Sequence, residues 1–144
     1  RGTWLWQAAA RVGVPRPRLE EVLRSAARAA LARTSDEGAR ASGLAVLEAA
    51  AAWAEGRGAR EEVSRAGAAL SAWTAGNEAP LGAVAAFADA VLAPDEALGP
   101  PALRSLEHAA RAVGRGDPEA GEAALADRVR RLLAGAEILT ALGV

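Results

Sequence analysis

The chain of 144 residues contains no cysteine, methionine, tyrosine or lysine. Without cysteine there is no disulfide framework, no thiolate nucleophile and no cysteine-based zinc site. Without lysine the glycine-rich segments cannot form a phosphate-binding loop of the Walker type, which needs that residue at the phosphate. The absence of cysteine agrees with a cytoplasmic location, which is the one we expect.

Residues that favour β-strands are also scarce. The chain has four tryptophans, one phenylalanine and a single isoleucine, Ile138, against 41 alanines. Alanine is the strongest helix former, whereas strands select β-branched and aromatic residues. The composition therefore predicts an all-α protein, and 144 residues fit one domain.

Charge and hydropathy exclude two kinds of partner. All 17 basic residues are arginines, and they are interleaved with 18 acidic residues to give a net charge of −1, which argues against nucleic acid. The apolar segment from Ala79 to Ala93 is interrupted by Asp89 and is shorter than the roughly 20 residues that span a membrane.

The excess of Arg, Ala and Gly, which have GC-rich codons, indicates a bacterial source. Since the first residue is Arg1, we expect the chain to begin after a processed, tagged or disordered start.

Apolar periodicity and turn residues predict a single-domain bundle of six or seven short antiparallel helices over residues 1–144, with a loop or hinge at 93–101. The Thr34-x-x-Glu37 spacing predicts a capping box, and Asp117 is predicted to cap the helix that begins with Pro118. The predicted helices are Trp4 to about Val12, Pro17 to Leu31, Thr34 to Ala54, the segment after Gly58 to Trp73, Pro80 to Ala93, Leu103 to Val113, one opening at Asp117, and a short apolar tail at Ile138 to Leu142.

Two of these helices are apolar around more than half of their circumference. Only Glu48 is charged between Leu44 and Ala54, and only Asp89 is charged between Pro80 and Ala93. A helix with this pattern is covered on several sides. We therefore expect both helices at the centre of the bundle.

The tripeptide Gly-Arg-Gly occurs at residues 56–58 and again at 114–116. A Leu-x-x-Leu-Glu motif precedes each copy, which is consistent with two related helical hairpins. We expect Gly56 and Gly114 to end their helices in the left-handed conformation. Arg57 and Arg115 would then project from the turns, where each can contact an anion or a partner.

Few residues could carry chemistry. His108 is the only histidine, and Ser105 lies three residues before it without the strand-turn-helix context of a nucleophile. A di-iron bundle needs two Glu-x-x-His motifs, and a zinc hydrolase needs several histidine or cysteine ligands. We therefore predict no catalytic residue, no metal site and no cofactor.

The aromatic residues suggest two kinds of binding. Trp4 and Trp6 lie two positions apart and point in different directions on a helix, so they either fill gaps at one end of the bundle or anchor a partner. Trp53, Trp73 and Phe87 could instead line a cavity left by the small alanine side chains.

The segment from Leu47 to Gly56, followed by the Glu61-Glu62-Val63 helix, resembles a family of Ala-rich, all-helical immunity proteins of bacterial toxin systems. The shared feature is an apolar helix that ends in a Trp-Ala-x-Gly turn before a second Ala-rich helix. The resemblance implies a non-enzymatic protein that binds a cognate toxin.

We thus expect a non-catalytic protein-binding domain, such as an immunity or regulatory protein, whose partner is another protein or a second copy of the chain. The alternatives are a helical bundle that binds a small apolar ligand in its core, and a fragment of an enzyme whose active residues lie beyond the given ends.

Overall fold

The computed structural model describes residues 13–93, 99–115 and 117–132, together with residues 7, 9 and 11. Every regular element in these ranges is helical, which confirms the predicted all-α bundle. The predicted helix at Trp4 to Val12, most of the predicted hinge and the apolar tail at Ile138 to Leu142 lie largely or wholly outside these ranges. The elements are α1 (Arg16–Leu31), α2 (Glu37–Ala54), α3 (Arg60–Ala69) with a 3-10 turn (Leu70–Trp73), α4 (Glu78–Leu92), α5 (Gly99–Val113) and α6 (Pro118–Leu132).

Helices α1, α4 and α5 form the centre of the bundle, because they make the most extensive contacts with one another. Helix α4 is covered on nearly all sides, as its apolar sequence predicts. Its fully or almost fully buried residues include Leu81, Val84, Phe87, Ala90 and Val91.

The prediction that the helix ending at Ala54 is also central is wrong. Helix α2 buries one face, which includes Val46 and Leu47, while Ala45 and Glu48 are exposed. Its apolar run consists mostly of alanine, whose single methyl group gains little from burial and tolerates water. Helix α2 therefore packs with α3 on one flank of the centre, and α6 packs on α5 elsewhere.

Side-chain caps fix where two of the helices begin. The Asp36 carboxylate accepts the N–H groups of Gly38 and Ala39 at 3.0 and 3.2 Å, so Asp36 caps α2 in place of the predicted Thr34. Asp117 accepts the N–H groups of Glu119 and Ala120, as predicted for the start of α6. Thr34 is free for another role because the stronger capping residue lies two positions later.

The two Gly-Arg-Gly segments both follow a helix and precede another, but their turns differ. Gly56 has φ +76°, and the N–H groups of Gly56 and Arg57 donate to the carbonyls of Trp53 and Ala52, which is a Schellman motif. In the second segment Gly114 does not have a positive φ, whereas Arg115 does, at +50°, so the prediction for Gly114 is wrong. A Cβ atom on Gly114 would lie 2.1 Å from the carbonyl oxygen of Asp117. Gly114 is thus required by a close approach of the backbone rather than by its φ angle.

Two further glycines allow helices to touch. A Cβ atom on Gly121 of α6 would lie 1.9 Å from the carbonyl oxygen of Ala110 in α5. One on Gly82 of α4 would lie 2.7 Å from Nδ1 of His108 in α5. Small residues at these crossings bring α4, α5 and α6 close together.

None of the helices in the described ranges is long and apolar enough to cross a membrane.

Candidate functional site

A groove of about 480 Å³ lies at the end of the bundle where α1 and α5 end and α2 and α4 begin. Three arginines contribute to its walls: Arg33 from the α1–α2 loop, Arg111 from the last turn of α5, and Arg115 from the following turn. We call it the arginine groove. Its remaining lining residues are Ala32, Thr34, Ser35, Gly76, Asn77, Pro80 and Ala112.

None of the three guanidinium groups forms a hydrogen bond or ion pair with another described residue. No acidic residue lines the groove, and three of the acidic residues near it in sequence accept backbone N–H groups. Asp36 and Asp117 cap α2 and α6, and the Glu78 carboxylate accepts the N–H of Gly76 at 3.0 Å. Hydrogen bonds from its own backbone N–H and from that of Gly76 lower the pKa of Glu78, so its charge is held at the start of α4. The groove is therefore positively charged.

A polar network fixes the two loops that border the groove. The buried Thr34 hydroxyl donates to Oδ1 of Asn77, and Nδ2 of Asn77 donates to the Trp73 carbonyl at 3.1 Å and to Asp36 at 3.4 Å. Arg40 donates to the Thr34 carbonyl at 2.5 Å. These bonds join the α1–α2 loop to the segment before α4, so the floor of the groove is preorganised.

Trp73 is joined to this network through its carbonyl, which is one of the acceptors of Asn77. It is the one large apolar side chain that is exposed among the residues described, with 41% of its surface accessible. Its six-membered ring rests directly on Gly38, where a Cβ atom would lie 2.3 Å from Cη2. Trp73 was suggested by the sequence as one of three residues that line a cavity. It lies at the edge of the bundle because its element ends there.

Trp53 lines a separate cavity of about 560 Å³ near the C-terminus of α4. Two arginines at its rim donate to the terminal carbonyls of α4: Arg16 to Val91 and Ala93 at 2.9 Å each, and Arg60 to Leu92 at 3.1 Å. Its other lining residues are Glu20, Ala50 and Ala54. Trp53, Trp73 and Phe87 therefore do not share one cavity, because Phe87 is fully buried in the core and Trp73 lies at the surface.

The two residues considered for chemistry take part in helix contacts. The Ser105 hydroxyl is fully buried and donates to the Ala83 carbonyl at 2.7 Å, which joins α5 to α4. The His108 imidazole packs on Gly82, and its buried Nδ1 has no hydrogen-bond partner among the described residues. Burial lowers the pKa of His108, Arg111 and Arg104 lower it further, and Glu107 opposes them. Within the described ranges no group of three or more His, Asp or Glu side chains could hold a metal ion.

Of the four residues predicted to contact a partner, the structure describes two, and their surroundings differ. Arg57 pairs with Glu55 at 2.5 Å, while Arg115 lines the arginine groove. Trp4 and Trp6 lie outside the described residues. The groove itself was not predicted, although the four-residue spacing of Arg111 and Arg115 places both on one side of the end of α5. Nothing in the sequence brings Arg33 to them, because that proximity depends on the packing of α1 against α5.

Comparison of the chain with models of protein families, with curated proteins and with solved structures finds no match.

Proposed function

We propose that the chain is a non-catalytic protein-binding domain and that Trp73 is a central contact for its partner. The observation that carries the proposal is that this indole ring is exposed and yet held in one place by Gly38. Tryptophan is enriched among the residues that dominate binding energy at protein interfaces. A ring that is already ordered loses little conformational entropy when a partner covers it.

The packing roles of Ser105 and His108 support a binding function over an enzymatic one. The Ser105 hydroxyl serves a contact between α4 and α5, and the imidazole of His108 packs between the same helices. A nucleophile and its general base must reach the substrate and each other. The partner that we propose is a protein with an apolar pocket able to receive the indole ring.

Substitutions at and beneath Trp73 test this function. Wild-type protein, Trp73→Ala and Gly38→Ala would be used to capture partners from a lysate of the source organism, and the affinity of the captured protein would then be measured. Gly38→Ala retains the indole but displaces it, because its methyl group would occupy the position of the ring. We expect both variants to lose at least about tenfold in affinity, since interface tryptophans often contribute 2 kcal/mol or more.

Arg65→Ala, at an exposed position on α3, is the control and should bind like the wild type. Circular dichroism would verify that each variant is folded. Equal binding by wild type and Trp73→Ala would contradict the proposal. Sedimentation of the pure protein would show directly whether the partner is a second copy of the chain.

The finer form of the proposal is a bacterial immunity or regulatory protein, based on the resemblance of the Leu47 to Gly56 segment. It predicts that a toxin gene lies beside the gene for this chain. Co-expression of the chain with that toxin should then restore the growth of the cells that produce the toxin. A neighbourhood without a toxin gene would argue against the immunity role and leave the binding function in place.

The Trp53 cavity favours a second candidate function, the binding of a small apolar ligand. We expect an alkane that carries a nitroxide label to quench tryptophan fluorescence saturably in the wild type. Ala54→Leu should block this quenching because residue 54 lines the cavity, whereas Ala45→Leu on the exposed face of α2 should not. Equal quenching in both variants would rule the cavity out as the ligand site.

A further inference from the structure

We propose that the arginine groove binds a small multivalent phosphate anion, such as pyrophosphate or the diphosphate portion of a nucleotide. This site is separate from the proposed protein-binding function at Trp73. It rests on the charge of the groove, on the backbone conformation of Arg115 and on the fixed loops around it.

Charge provides the first argument. Arg33, Arg111 and Arg115 line one groove of about 480 Å³, and none of their guanidinium groups is paired with a carboxylate in the described part of the chain. Like charges that share a site repel one another, so a bound anion removes an unfavourable interaction in addition to forming its own contacts. Arg57 pairs with Glu55 and Arg130 with Asp127, whereas the exposed Arg65 has no such pair in the described residues; the groove is distinguished by bringing three arginines together.

The conformation of Arg115 provides the second argument. Its φ of +50° costs an ordinary L-residue on the order of 1 kcal/mol, and the first Gly-Arg-Gly turn gives the left-handed position to a glycine. In the second turn an arginine occupies that position, although glycines flank it on both sides. Residues held in such conformations are concentrated at functional sites. The turn places the Arg115 side chain in the wall of the groove.

The surroundings of the arginines provide the third argument. Ser35 also lines the groove, and its hydroxyl forms no hydrogen bond with another described residue. The Thr34–Asn77 hydrogen bond fixes the loop that carries Ser35 and Arg33 against the segment before α4. Loops that are already fixed reduce the entropy that is lost when the unpaired arginine and serine donors surround a polyanion.

The number and type of these groups indicate phosphate rather than a single carboxylate. A lone carboxylate would compensate one of the three positive charges, whereas a diphosphate carries enough charge and enough oxygen atoms for all of them. The planar guanidinium group donates two parallel hydrogen bonds to phosphate oxygens. The volume also lies in the range of small-ligand pockets.

Titration calorimetry with inorganic pyrophosphate at low ionic strength tests the proposal. We expect saturable binding by the wild type and a loss of about tenfold or more in affinity for Arg33→Ala and for Arg111→Ala, because each removes charge-assisted hydrogen bonds. Arg115→Gly should weaken binding to a similar extent. This third variant is well suited to the test because glycine accepts the positive φ and should not impair folding.

Arg65→Ala is the matched control, since it removes one exposed arginine outside the groove. It should keep wild-type affinity, and Trp73→Ala should keep it as well, which separates this site from the proposed protein interface. Absence of saturable binding in the millimolar range, or equal weakening by Arg65→Ala, would overturn the proposal. Binding of an oligoglutamate peptide in place of pyrophosphate would also overturn it, and would assign the groove to an acidic protein segment.

Discussion

At the scale of single residues, the position of His108 should make the stability of the protein depend on pH. Its imidazole packs on Gly82 between α4 and α5, and burial together with Arg111 and Arg104 lowers its pKa from the ordinary value of 6.5. The folded protein thus binds this proton less readily than the unfolded chain. Stability should therefore be highest above pH 6.5 and should fall as the pH drops below that value.

We expect urea unfolding to show this loss of stability between neutral and mildly acidic pH in the wild type. His108→Gln removes the titrating group and should flatten the pH dependence in that interval. The lowered pKa of Glu78 acts in a separate and more acidic range, because its contribution is lost only as the pH falls below its ordinary value of 4.5. A wild-type profile that matches His108→Gln would show that protonation of His108 does not affect folding.

Gly67 and Gly43 offer a second test at the scale of single residues. In α3, a Cβ atom on Gly67 would make an ordinary contact with Ala88 at 3.5 Å, so Gly67→Ala should stabilise the protein by about 0.5–1 kcal/mol through helix propensity. In α2, a Cβ atom on Gly43 would lie 2.6 Å from the buried Leu31, so Gly43→Ala should destabilise the protein by about 1–3 kcal/mol. Urea denaturation measures both values, and a gain of stability in both variants would contradict the close contact at Gly43.

At the scale of elements, both Gly-Arg-Gly segments connect the two helices of a hairpin, but their backbone conformations differ. Both separate the helices of a hairpin, α2 from α3 and α5 from α6. Leu47 and Leu106 are buried at matching places, and Glu48 and Glu107 are exposed. The hairpins are thus alike in outline, while the left-handed residue is Gly56 in one turn and Arg115 in the other.

Alanine substitution of the first glycine in each segment should expose this difference. Gly56→Ala meets no atom within 4 Å and should cost about 1 kcal/mol for the positive φ alone. Gly114→Ala would place a methyl group 2.1 Å from the backbone of Asp117 and should cost at least about twice as much, since the turn itself must move. The difference in free energy of unfolding is the measured quantity. Equal losses would mean that the approach at Gly114 is readily relaxed.

At the scale of the whole molecule, stability depends on a few large side chains within many alanines. Phe87 lies fully buried on the central helix α4, which packs against α1 and α5 and also against α2 and α3. Phe87→Ala should therefore destabilise the protein by about 3–5 kcal/mol, because small neighbours cannot refill the space. Trp73→Ala removes a larger ring from the surface and should cost much less. Thermal or urea unfolding of the two variants compares them, and similar losses would place Trp73 in the core.

The sequence predicted which sides of a helix are buried best for α4 and least well for α2. In α4 the apolar residues are large enough that their spacing predicts which sides are buried. In α2 the same pattern is made of alanines, and the gain from burying a methyl group is too small to determine which side faces the core. The cap of α2 shows the same limit, because Thr34 and Asp36 can both cap a helix and tertiary contacts with Asn77 decide between them.

The sequence by itself determined that this protein is helical, where most of its helices end, and which residues it lacks for metal or thiol chemistry. These properties depend on local propensity, on glycine and proline, and on composition. Only the tertiary structure decided that Arg33 joins Arg111 and Arg115 in one groove and that Trp73 rests exposed on Gly38. Both arrangements join segments that are distant in sequence, so they depend on how the large side chains of α1, α4 and α5 pack together.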